Sequence, residues 1–171
     1  MIDCGASTAA VDGAVGDGAP TIVYTDGACI GNGSVGAKAG LGLFWSDGHP
    51  DNLSAPITGP PSSNRAECLA VIAALEKAKS RNIHQLVVRT DSAFLLNFHT
   101  SMARWRLNGW TNVKGTEVKN RELLERLDKL MAGDVTTEFE KVLGHSGDYG
   151  NEQADMLAKR GAEMYTGNAQ E

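Results

Sequence analysis

Two runs, Thr21-Ile22-Val23-Tyr24-Thr25-Asp26-Gly27 and Gln85-Leu86-Val87-Val88-Arg89-Thr90-Asp91-Ser92, each carry β-branched residues up to an aspartate. Such runs have the composition of strands, and Asp26-Gly27 and Asp91-Ser92 have that of the turns that end them. In open α/β sheets, ligands bind in the crevice beyond the carboxyl ends of strands. Carboxylates at two such ends can converge there. Each aspartate taken alone has a plainer explanation as a turn residue or helix cap.

Outward from these runs the chain reads as alternating elements. Gly31-Asn32-Gly33 is a turn, Ala39 to Trp45 a second strand, Asp47-Gly48 a hairpin signal, and about His49 to Ala55 a third strand. Ser62 or Ser63 can cap a helix from Asn64 to about Ser80, whose Cys68–Leu75 stretch is apolar without a break and so buried on more than one side. The Gln85–Thr90 run is the fourth strand. Short helices are expected over 93–101 and 103–107, with a break at Asn108-Gly109, and a helix over Asn120–Met131. Thr136–Leu143 is a fifth strand. Gly144, Gly147 and Gly150 make a flexible loop before a last helix from Asn151 to Gly161. This order predicts an α/β fold, a five-stranded mixed sheet flanked by helices. Residues 1–19, rich in Gly, Ala, Asp and Ser, read as a disordered tail, 20–163 as one domain, and 164–171 as a flexible C-terminal tail.

Two more acids stand on apolar helix faces. Glu67 is expected in the first turn of its helix, beside Ala66, Ala70, Val71 and Ala74; Asp155 lies beside Ala154, Leu157 and Ala158. A carboxylate leaning into a buried face is costly unless something pairs with it. A dipole-stabilising acid and a rim acid are the plainer explanations. Four such acids together favour a shared cation. Oxygen ligands of this kind suit Mg²⁺, and a clustered set supports two-metal phosphodiester hydrolysis. Without the ions, the acids should show raised pKa values.

Composition sets bounds. Apolar residues make up 42% and charged residues 22% of the 171, ordinary for a soluble domain. No apolar run approaches the roughly 20 residues of a membrane helix, and the start resembles neither a secretory signal nor an Arg-rich transit peptide. The three cysteines, Cys4, Cys29 and Cys68, are widely spaced and read as reduced thiols of an intracellular protein, in cytoplasm or nucleus. The net charge of −5 is concentrated toward the start: residues 1–37 hold four acids and no Lys or Arg. A local basic face remains available, with weaker phosphate attraction than a basic protein would have.

The strings "YTDGACIGNG" (24–33), "AGLGLFW" (39–45), "SSNRAECLAVIAAL" (62–75), "LVVRTDS" (86–92), "RLNGW" (106–110), "EVKNRELLERL" (117–127) and "GHSGDYGNEQADMLA" (144–158) occur in this order. Together they resemble the type 1 ribonuclease H family over about residues 21–163. The resemblance implies the ribonuclease H-like fold and hydrolysis of the RNA strand of RNA–DNA hybrids, leaving 5′-phosphate and 3′-hydroxyl ends. It implies that Asp26, Glu67, Asp91 and Asp155 hold two Mg²⁺ ions, with Mn²⁺ an acceptable substitute. His145 then matches the family's loop histidine, which assists proton transfer or product release. Asn151 matches an Asn near the last acid, and could equally cap the final helix.

By the same resemblance Asn32 and Asn64 contact the 2′-hydroxyl, the group that tells RNA from DNA. The DNA strand would lie across Phe94 and Trp105, with Ser62 and Asn120 forming a pocket for one phosphate. Arg104, Arg106, Lys114, Lys119 and Arg121 would supply positive charge, while Trp110 is expected in the core. Two departures thin this part: Ser101-Met102 stands where the family often has another Trp, and Trp105-Arg106-Leu107-Asn108 holds one basic residue. Residues 1–19 do not resemble a hybrid-binding module, so low processivity is expected, from a monomer with no membrane association. The competing readings are another ribonuclease H-like DNA nuclease, which would cut double-stranded DNA equally, and a non-catalytic hybrid-binding module, which loss of one of the four acids would signal.

Overall fold

The structure is a computed structural model that describes residues 18–143 and 147–167. Its five strands are β1 (Thr21–Ile30), β2 (Lys38–Phe44), β3 (Leu53–Pro56), β4 (Gln85–Thr90) and β5 (Thr136–Lys141). Its helices are α1 (Ser63–Ser80), α2 (Ala93–Leu96), α3 (Phe98–Leu107), α4 (Arg121–Met131) and α5 (Tyr149–Glu163). The sheet order is β3-β2-β1-β4-β5, with β1–β2 and β2–β3 antiparallel and β1–β4 and β4–β5 parallel. The mixed five-stranded sheet expected from the sequence is therefore present. The residues 1–17 of the expected tail, and Gly144, His145 and Ser146 of the expected loop, lie outside the described residues.

α1 packs against β1 and β2 on one side and α4 on the other. That accounts for its unbroken apolar stretch, with Cys68, Ala70, Val71, Ile72, Ala74 and Leu75 all buried. Ser62 caps it, its hydroxyl accepting from the Arg65 backbone N–H at 3.2 Å. α4 contributes Leu123, Leu124 and Leu127 to the same core. α5 packs against β1, β2 and β3. It does so through backbone: a methyl group on Gly40 would lie 2.0 Å from the Ala162 nitrogen, and one on Gly42 would lie 2.2 Å from the Ala154 carbonyl oxygen. Glycine inside a strand here marks close approach of two chains. Among the described residues no helix is long and apolar enough to cross a membrane.

Several sequence expectations are corrected. β1 does not end at Asp26-Gly27; it runs on to Ile30, because Asp26 to Ile30 stay paired with Gly42 to Lys38 of β2. Gly27 is there for contact rather than for a turn, since a methyl group on it would lie 2.4 Å from the Glu67 nitrogen. β3 starts at Leu53 rather than about His49. Asn52 holds the preceding residues in a turn by accepting from Trp45 N at 2.8 Å and donating to the Ser46 carbonyl at 2.7 Å. Glu67 sits beyond the first turn of α1, which contains no acid, so the dipole explanation for it lapses. α5 begins at Tyr149, and Gly150 is helical, its Cα against the Tyr24 ring. The cap of α5 is Asp148, which accepts from Asn151 N at 3.0 Å, so Asn151 is not the cap. Tyr165, expected in a flexible tail, packs on the core and donates to the Gly59 carbonyl at 2.9 Å.

Candidate active site

The site forms where β1 outruns its parallel neighbour. β4 pairs with β1 over Thr21–Tyr24 and ends at Thr90, whereas β1 continues beside β2. Asp91, the first residue past β4, and Asp26, two residues past the last parallel pair, meet in that gap. Glu67 approaches from α1 because Gly27 lets the helix backbone close on the strand. One carboxylate oxygen from each of Asp26, Glu67 and Asp91 lies within 4.8 Å of the others. Asp155 reaches the same crevice from α5; the crevice, about 340 Å³, is lined by Asp26, Asp91, Asn151 and Asp155 among others.

The electrostatics of the group are unbalanced. Burial, then repulsion from Asp26, raises the Glu67 carboxyl to about 9. Burial, then repulsion from Asp91, raises Asp26 to about 7, with Asp155 adding to it. Glu67 Oε2 and Asn151 Oδ1 are buried with no hydrogen-bond partner, and Asn151 is only 5% exposed. Gly27 N donates to Asp26 Oδ1 at 2.9 Å. Lone acceptors around buried acids are what a hard divalent cation would satisfy, so the donor set fits such an ion. Asp155 differs from the other three, because Lys159 Nζ donates to its Oδ2 at 2.6 Å. The i, i+4 spacing of these two on a helix could have revealed that pair from the sequence.

A second depression, about 670 Å³, collects Asn32, Ser62, Asn64, Phe94, Trp105 and Asn120, the remaining positions expected to touch substrate. Asn32 and Asn64 are exposed and Phe94 half-buried. Trp105 and Trp110 are both only 8% exposed and stack at 5.9 Å between ring centroids, so Trp105 offers the groove an edge of a core residue rather than a free ring. Trp110 is in the core as expected. Of the five basic residues expected here, Arg104 and Lys119 line the groove. Arg106 is paired with Asp128, and Arg121 with Glu117 and Glu125 while lying over the Trp110 ring. Arg65 was missed as a separate feature, although it lies inside the string 62–75; it bonds to Ser62 and Asn120 together. His145 lies outside the described residues.

The family model for RNase H matches residues 18–163. Ribonuclease H1 of Rattus norvegicus is 41% identical over 151 residues, which span 88% of this chain and 53% of the rat protein. Ribonuclease H of Francisella philomiragia is 37% identical over 147 residues, 85% of this chain and 93% of that one. The chain spans about half the length of the mammalian relatives it matches. Among solved structures, LC9-RNase H1, a type 1 RNase H with the type 2 active-site motif, superposes with a TM-score of 0.66 at 25% identity over 88% of this chain and 76% of that one. With the family model covering nearly the whole described chain and a relative matched over most of its length, the chain belongs to the ribonuclease H family.

Proposed function

We propose that this protein is an endoribonuclease that hydrolyses the RNA strand of RNA–DNA hybrids, with Asp26, Glu67, Asp91 and Asp155 holding two Mg²⁺ ions. The observation that carries this is the convergence of Asp26, Glu67 and Asp91 within 4.8 Å, with Glu67 Oε2 buried and unpartnered, next to a groove that gathers the nucleic-acid-facing positions. Bound there, the cations would supply stabilisation of charge on the attacking and leaving oxygens of the phosphodiester. Attack of water on the phosphorus with the 3′-oxygen leaving and taking up a proton would give products with 5′-phosphate and 3′-hydroxyl ends.

The chain's own groups supply the rest. Asn32 and Asn64, both lining the groove, have amides able both to donate to and to accept from a ribose 2′-hydroxyl. Ser62 and Asn120 donate to one phosphate of the DNA strand, and Phe94 with the Trp105 edge gives that strand an apolar surface. Asn151 lines the crevice and holds a buried, unpartnered amide oxygen, an acceptor for a hydrogen bond from a water or substrate hydroxyl that reaches it. By the family resemblance His145, which lies outside the described residues, assists proton transfer or product release.

The test is cleavage of end-labelled RNA–DNA hybrid with and without Mg²⁺, with Asp91→Asn beside it. RNA fragments that appear only with the divalent ion and only from the unaltered chain support the assignment. Equal cutting of double-stranded DNA would replace hybrid selectivity with a general DNA nuclease. Hybrid binding with no cleavage under any divalent ion would reduce the protein to a binding module.

A further inference from the structure

We propose that Arg65 is a positioning residue whose side chain sets the donor polarity of Asn120, so that Asn120 stands beside the Ser62 hydroxyl as a second hydrogen-bond donor for a phosphate. This rests on reading Ser62 and Asn120 as the groove's phosphate contacts.

Arg65 does not line the groove. Its side chain is 12% exposed. The residue makes four hydrogen bonds, all as donor, one from its backbone N–H and three from its side chain. Its backbone N–H donates to Ser62 Oγ at 3.2 Å, and Nη1 donates to Asn120 Oδ1 at 3.3 Å and to Glu122 Oε1 at 2.6 Å. Nε donates to the Thr58 carbonyl at 2.8 Å.

A guanidinium has no acceptor, so only the oxygen of the Asn120 amide can face it. The amide is planar, and fixing Oδ1 toward Arg65 leaves Nδ2 on the groove side. The Ser62 hydroxyl accepts from the Arg65 backbone N–H as the cap of α1, a bond that needs no arginine side chain and frees the hydroxyl proton to point forward. A phosphate accepts and does not donate, so an Asn amide presented oxygen-first would repel it. The charge of Arg65 is already committed to Glu122, whose carboxyl it holds below the usual range by hydrogen bonding. Its contribution is therefore orientation rather than long-range attraction.

Two further features hold Arg65 in place. Gly59, at φ +78°, leaves room that a side chain would take: a methyl group there would lie 2.7 Å from the guanidinium. Tyr165 secures that turn through its hydrogen bond to the Gly59 carbonyl. Asn120 itself is left-handed, at φ 60°, so its side chain leaves the backbone in a direction set by the turn.

The experiment is steady-state cleavage of hybrids carrying one uncharged methylphosphonate at successive DNA-strand positions, by the full chain and by Arg65→Lys, Asn120→Ala and the double variant. Lysine keeps the charge but lacks the fork that serves Thr58, Asn120 and Glu122 together. For the unaltered chain, one methylphosphonate position is expected to raise KM by roughly tenfold or more, the scale of one hydrogen bond to a charged group. Arg65→Lys is expected to raise KM on ordinary hybrid with kcat little changed, to reduce the sensitivity at that position to the share carried by Ser62, and to add nothing in the Asn120→Ala background. A position-specific sensitivity undiminished in Arg65→Lys, or additive effects in the double variant, would overturn the proposal.

A chain that cleaves hybrid but is indifferent to every methylphosphonate and to Asn120→Ala would overturn the phosphate-pocket reading, and the proposal with it. Failure to cleave at all would overturn the nuclease reading first. A measurement needing no change at Arg65 uses isotope-labelled Asp91→Asn protein with uncut hybrid and Mg²⁺. The Asn120 side-chain amide protons should shift on binding while the Arg65 guanidinium protons stay put. Shifts at the guanidinium instead would make Arg65 a direct phosphate contact and overturn the positioning role.

Discussion

In the acidic crevice, Glu67 and Asp26 are buried against one another and Glu67 Oε2 has no partner; in the neighbouring groove, Ser62, Asn120, Arg65 and Glu122 satisfy one another in a chain of hydrogen bonds. The crevice is held by core packing that forces like charges together. The groove is held by turn and cap chemistry that is complete before any ligand arrives. The difference separates two kinds of preparation. A site for a cation stays frustrated until it is filled, whereas a site for a neutral or anionic contact can be finished in advance.

The hardest blow to this contrast is a charge change in the crevice. Asp91→Asn should lower kcat on hybrid by on the order of 1000-fold or more, measured in single-turnover cleavage, because such sites act as units. A loss under tenfold would mean that the crevice is not where the chemistry occurs. Next comes the packing that shapes it. Gly42→Ala puts a methyl group 2.2 Å from the Ala154 carbonyl oxygen. It should cost about 3 kcal/mol in urea unfolding, and any folded fraction should bind Mg²⁺ more weakly, since the Asp155 helix must move.

The frustration itself has a pH signature. Asp26 and Glu67 both have raised carboxyl pKa values, about 7 and about 9. The folded chain therefore keeps protons that the unfolded chain has already released. Their contribution is fully present below the ordinary carboxylate range and declines as pH rises, ending near 7 for Asp26 and near 9 for Glu67. Metal-free protein should melt about 5 °C lower at pH 8 than at pH 5.5, and saturating Mg²⁺ should recover most of the difference. Identical melting curves in all these conditions would mean that the acids are not strained. The smallest effects belong to the groove: Asn32→Ala or Asn64→Ala should each raise KM for hybrid by roughly fivefold. The same variants should narrow the preference for RNA over all-DNA duplex; an unchanged preference would assign 2′-hydroxyl recognition elsewhere.

Much of the fold was legible because strands β1, β4 and β5 and the apolar body of α1 announce themselves by composition and periodicity. Of the clustered acids, Asp26 and Asp91 were legible from their places at the ends of strand-like runs, and Glu67 from its apolar helix face. What was lost concerns partners distant in sequence. Asp26-Gly27 looks like a strand end until β2 is seen pairing past it, and Gly27 looks like a turn residue until α1 is seen against it. Asn151 looks like a cap until Asp148 is seen to fill that role. The basic groove was over-read for the same reason, since Glu117, Glu125 and Asp128 claim two of its arginines.

The glycine seam under α5 carries one more consequence. A helix that rests on a sheet through side chains has some play, because exchanging rotamers alter the spacing by fractions of an ångström. Here backbone meets backbone at Gly40 and Gly42, with no rotamer between the layers. Asp155 follows Ala154, whose carbonyl is one of the touching groups, and Asp26 is the residue paired with Gly42. The span between the acids on α5 and β1 is thus gauged by direct contact of one backbone on another. Its tolerance is that of van der Waals contact between rigid peptide groups, with no side-chain torsion to loosen it.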